Sequence, residues 1–166
     1  MTYKTLDEIE NIVRAFEDCT LPISEWNHHA HLTVGLWYLI HCTQEEAINC
    51  ICDRIQKYNA ANGIKTTKNS GYHETITLFW LRIIIQFLAA EVGNFSILHL
   101  TNKLINNYGN PRLPLEYYSQ DLLMSWEAHR SWVEPDLKKS DRFLLCYIME
   151  SDRTNSSSAH EQFLYY

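Results

Sequence analysis

Two long segments of this chain are apolar on nearly every side when wound as helices, and that constrains the fold more than any other feature. The first carries Leu32, Val34, Leu36, Trp37, Leu39 and Ile40; the second carries Ile76, Phe79, Leu81, Ile83, Ile84, Ile85, Phe87 and Leu88. A helix without a polar face has to be surrounded by others, so both are predicted to be central. The β-branched run Ile83–Ile85 suits a strand, but the length of its segment favours a helix. Only five Gly and four Pro interrupt 166 residues, which favours long helices over many short strands. The fold class is therefore all-α, a single-domain antiparallel bundle of about six helices.

Capping residues and breakers place those helices. Thr5, with Glu8 three residues on, opens a first helix (Leu6, Ile9, Ile12, Val13, Phe16) that ends near Cys19, ahead of Pro22. Ser24 is the predicted N-cap of the second, which runs to about Cys42. Thr43 caps a third, Gln44 to about Ala61, ended by Asn62-Gly63. After a polar loop at 64–71 come a fourth helix, about Tyr72–Glu91, and a fifth, Phe95 to about Tyr108. The stretch 109–118, with Pro111 and Pro114, is a loop; Ser119 and Ser125 each cap a short helix before Pro135. Residues 1–137 form the bundle. Residues 138–166 are an extension, in which 143–149 is apolar enough to dock and 152–159 reads as mobile.

Composition excludes several functions. The formal charge is −6 and the 14 Lys and Arg are scattered, so nucleic acid is not the expected partner. The apolar stretch Leu78–Leu88 is broken by Arg82 and Gln86 and is too short and polar to span a bilayer. The polar, acidic start of the chain is not a secretory leader. Five Cys (19, 42, 50, 52 and 146) form no CxxC pair, and reduced packing thiols in a cytoplasmic protein are the simplest reading.

Chemistry concentrates in two short segments: Glu25-Trp26-Asn27-His28-His29-Ala30-His31, and Tyr72-His73-Glu74-Thr75. His28 and His31, three apart on a helix, share a face, and Gly35 one turn on leaves room there. Short links make consecutive helices antiparallel, so the fourth begins at the end where the second began, which predicts His28, His31 and His73 at one level. Three neutral imidazoles with open positions are the catalytic pattern for one divalent transition metal, with Zn, Fe or Mn favoured. Glu74 is the expected ligand or general base, and Glu25, one turn before His28, the expected orienting partner. Trp26 and Tyr72 flank the ligands and are candidates to bind a small-molecule substrate. The loops at 21–23 and 109–118, the latter bearing Arg112, Glu116, Tyr117 and Tyr118, are expected to form a rim. His29, His41, His99, His129 and His160 are not expected to be ligands. The second His of HExxH is absent, and ExxH at 25–28 has no second copy, so neither a zincin nor a di-iron centre is expected.

At these residues the chain resembles a family of small bacterial proteins of uncharacterised function. Trp26, His28, His31, Leu32 and the string Tyr72–Thr77 carry the likeness, as do Tyr118-Ser119, Ser125, Arg130 and the stretch 133–137. The resemblance groups Tyr118 and Arg130 with the other candidate substrate-binding residues and implies no reaction. Three functions compete. One is a metal-dependent enzyme acting on a small organic molecule, by hydrolysis, elimination or non-haem oxidation. Another is a non-catalytic helical protein that binds a ligand or a metal. The third is an interaction protein whose histidines only pack.

Overall fold

The computed structural model describes residues 2–67 and 70–138. The expectations for the extension beyond 138, with Cys146 and His160, lie outside the described residues. The described chain is helical throughout: α1 (Leu6–Glu17), α2 (His28–His41), α3 (Gln44–Ala61), α4 (Glu74–Ala90), α5 (Ile97–Tyr108), a 3-10 turn (Leu113–Glu116), and two short helices, α6 (Gln120–Leu123) and α7 (Trp126–Arg130). Among the described residues, no helix is long and apolar enough to cross a membrane.

The two all-round apolar segments do occupy the interior. α2 packs against α1, α3, α4 and α5, and Leu32, Thr33, Val34, Gly35, Leu36 and Tyr38 along it are all buried. α4 packs against α2, α3 and α7 and buries Phe79, Trp80, Leu81, Ile83, Ile84 and Phe87, so the β-branched run stays helical. Surrounding packing overrides a local preference worth only fractions of a kcal/mol per residue.

Local capping holds where it was read. Thr5, Thr43, Ser119 and Ser125 each accept a backbone N–H in the first turn of their helices, and Thr43 completes a reciprocal capping box with Glu46. Glu8 instead reaches the N–H of Lys4, so only half of the expected box forms at α1. Three starts shift. α2 is capped by Asn27 rather than Ser24, because residues after Pro22 close a tight turn in which the Glu25 and Trp26 N–H groups donate to the Pro22 carbonyl. α4 starts at Glu74, with His73 as its N-cap, and α5 starts at Ile97, capped by Ser96. α3 ends at Asn62-Gly63, where Gly63 takes the left-handed conformation (φ 67°).

The register of α2 on α4 decides where the site residues fall. The His28 ring lies against Trp80, with centroids 4.3 Å apart, and Gly35 faces Leu81 and Ile84. The two helices therefore run in the same direction, as the up-down-up order requires. However, the first turn of α2 lies opposite the second turn of α4, not its N-terminus. At 1.5 Å of rise per residue, His73 sits roughly 10 Å down the axis from Trp80. A Cβ on Gly35 would come within 2.7 Å of the Ile84 Cδ1, so this glycine sets the close approach of the two helices.

A candidate small-molecule cavity

Each of the three histidines proposed as ligands has a different environment. The His28 Nε2 donates to the Tyr108 carbonyl at 2.9 Å, which ties α2 to the end of α5. Burial lowers its pKa, and His29 adds to that, against the opposing effect of the carbonyl bond. The His73 side chain is buried, at 8% exposure. Its Nε2 donates to the Leu123 carbonyl at 2.7 Å, and its Nδ1 accepts the Ile76 N–H at 3.3 Å. Those two bonds define a neutral imidazole acting as a helix cap, and burial again lowers its pKa.

His31 differs from both. The residue is exposed, and its accessible surface faces a cavity. Neither ring nitrogen has a hydrogen-bond partner among the described residues. Burial, with a smaller contribution from His28, depresses its pKa to about 4, so the ring is neutral at pH 7. Trp26 holds it edge-on, with centroids 4.0 Å apart, and is itself stacked on Phe16 at 4.4 Å and packed beside Tyr58.

The cavity measures about 360 Å³ and lies between α2, α3 and α4. Branched apolar residues make a large part of its wall, among them Val34, Ile51, Ile55, Ile76 and Ile84. Its polar members include Asn59, Thr77 and the three histidines His31, His73 and His129. Trp26, Tyr72 and Gly35 all line it. His129 comes from α7, stacks near His73 with centroids 4.0 Å apart, and meets the Tyr72 carbonyl through Nδ1 at 3.3 Å. Nothing in its sequence spacing pointed there. Only the packing of α7 on α4 carries it in.

The remaining candidates stand apart from the cavity. Glu74 accepts the Tyr72 hydroxyl and lines an adjoining depression of about 720 Å³ with Gln56, Trp126 and Arg130, which shares Asn59, Ile64, Tyr72 and His129 with the cavity. The Tyr72 hydroxyl also meets the Cys52 thiol, and burial together with these two partners raises its pKa. Tyr118 is fully buried and donates to the Val133 carbonyl at 3.0 Å. Glu25 is exposed and makes no bond to His28. Ile23 from the first loop does line the cavity, but among the described residues the stretch 109–118 contributes nothing to it. Glu116 instead pairs with Lys138 at 2.9 Å on the surface.

These positions do not fit a ready three-histidine metal centre. His28 and His73 commit their Nε2 atoms to backbone carbonyls, and the helix register separates them. Among the described residues, no group of three or more His, Cys, Asp or Glu side chains is arranged to hold a metal ion. What His31 and His73 share is one cavity, with His28 outside its lining. Compared with known proteins, the chain matches no family model, no curated protein and no solved structure.

Proposed function

We propose that this protein binds a small organic molecule in the cavity between α2, α3 and α4, with His31 as the polar contact. The observation that carries the reading is the unpartnered His31 ring opening into a largely apolar space. The His31 residue keeps accessible surface, and that surface faces the cavity, so its ring nitrogens are within reach of whatever the cavity holds. A bound molecule or cavity water supplies the partner. The volume falls within the range of small-molecule sites, and an apolar lining with few convergent polar groups is their usual character.

Titration with the neutral dye N-phenyl-1-naphthylamine tests this. One saturable site is expected, with quenching of the tryptophans beside the cavity. Ile55→Trp and Ile76→Trp, which fill the cavity from opposite walls, should abolish binding while helical circular dichroism is retained. Equal dye binding by both folded variants would refute the cavity as the site.

A metal-dependent enzyme on the same residues, with Glu74 as base, requires His28 and His73 to exchange their carbonyl partners for an ion. What favours keeping it as a second reading is the open His31 ring, one turn from His28 on α2. Zinc, ferrous iron and manganese titrations of tag-free protein decide it. One equivalent bound by wild type and lost in the His28→Ala, His73→Ala double variant would favour a metal site, and turnover lost in Glu74→Gln with metal retained would favour an enzyme over a carrier.

A further inference from the structure

The lining of the cavity also limits the chemistry of what it holds. Among the described residues, no Asp, Glu, Lys or Arg side chain lines it. A bound ion there would have no opposite charge to meet on the lining and would lose part of its hydration, which is costly beside apolar walls. Two of the three lining histidines do not change this. His73 is neutral by its two hydrogen bonds, and burial keeps His31 neutral at pH 7. Glu74 and Arg130 lie in the neighbouring depression, not in the cavity.

Size and shape narrow it further. An apolar cavity of about 150 Å³ suffices for benzene. A volume of about 360 Å³ therefore takes a molecule of roughly two fused rings with a substituent. The Trp26 and Trp80 rings on its wall favour a flat aromatic face. A neutral imidazole with both nitrogens open offers one donor and one acceptor, so a hydroxyl matches it in either tautomer.

Resting on the binding reading above, we infer that the cavity selects an uncharged, ring-bearing molecule of about two-ring size whose single polar group, of hydroxyl type, pairs with His31.

Four probes of one shape test it at pH 7 on the full chain: 2-naphthol, naphthalene, 2-naphthoate and 2-naphthylmethylamine. Binding is read by displacement of N-phenyl-1-naphthylamine. Naphthol should bind about 3- to 10-fold more tightly than naphthalene, the worth of one hydrogen bond. The anion and the cation should each bind at least ~100-fold more weakly than naphthol. His31→Phe should erase the difference between naphthol and naphthalene while dye binding persists. His31→Gln, which restores a donor and an acceptor, should recover part of it.

An anion or cation that binds as well as naphthol overturns the neutral selectivity. A naphthol preference that survives in His31→Phe overturns the pairing with His31. If the dye binds but none of the four probes displaces it, the selectivity fails while the cavity reading stands. If the dye itself does not bind, both fall together.

Discussion

The two sides of α2 are built from the same kinds of residue and end up packed quite differently. Toward α5 and the C-terminal turns, Leu32, Leu36, Phe79, Leu104 and Tyr118 are fully buried in one cluster. Two polar side chains there are paired, His28 with the Tyr108 carbonyl and Tyr118 with the Val133 carbonyl. Toward α3, a second cluster forms around Phe16, Tyr58 and Leu81, but the helices leave about 360 Å³ unfilled and His31 without a partner. Three residues of helix separate His28 from His31, and that small rotation moves an imidazole from a structural tie to an open cavity wall.

Substitutions on the two sides should therefore differ in cost. Phe79→Ala removes a ring that meets Trp80, Tyr117 and Tyr118, and is expected to destabilise by about 3–5 kcal/mol. Ile55→Ala, on a wall that already faces empty space, should cost about 1 kcal/mol or less. Urea unfolding measures both. Equal losses would mean that the cavity closes in solution and would end the contrast.

The next effect concerns the edge between the two sides. His73→Ala loses the cap on Ile76 and leaves the Leu123 carbonyl unpaired, for an expected cost of about 2 kcal/mol. His73→Asn should restore the cap and recover about 1 kcal/mol. A His73→Ala protein as stable as wild type would show that the imidazole is free for other work.

The smallest effect separates His31 by pH. Burial lowers the pKa values of His28, His31 and His73 below the ordinary 6.5, so each resists protonation when folded. The unfolded chain binds the extra protons first. Stability from these groups is thus complete above pH 6.5 and is lost as the pH falls toward about 4, where His31 titrates in the fold. Because the His31 ring keeps accessible surface, screening in the cavity reduces its share to about 1 kcal/mol. His31→Phe should flatten that part of the decline, read as thermal midpoints between pH 6.5 and 4. An unchanged slope would mean that His31 is not held neutral by burial.

The architecture was largely legible in the residues. Caps at Thr5, Thr43, Ser119 and Ser125 and the stop at Asn62-Gly63 depend on a few neighbouring atoms, so they can be read locally. The start of α2 was less so, because Ser24 and Asn27 are both good caps and the turn after Pro22 decides between them. The candidate site was legible only in part. The segments around His31 and Tyr72 do meet at one cavity, with Trp26 and Tyr72 on its wall. That His28 turns to a carbonyl, and that His129 arrives from α7, was not readable, since neither follows from any spacing along the chain.

By itself, then, the sequence determined which stretches are helical, that α2 and α4 lie inside, and in which direction each runs. Those follow from periodicity, capping and short connections, which are local properties. Only the tertiary structure decided the offset of α2 along α4, set where Gly35 lets Ile84 approach and Trp80 meets His28. An offset of one or two turns leaves every local preference satisfied. It nonetheless places His73 in a cap and His31 beside an empty space, because packing between helices, not the order of residues within them, fixes which side chains can meet.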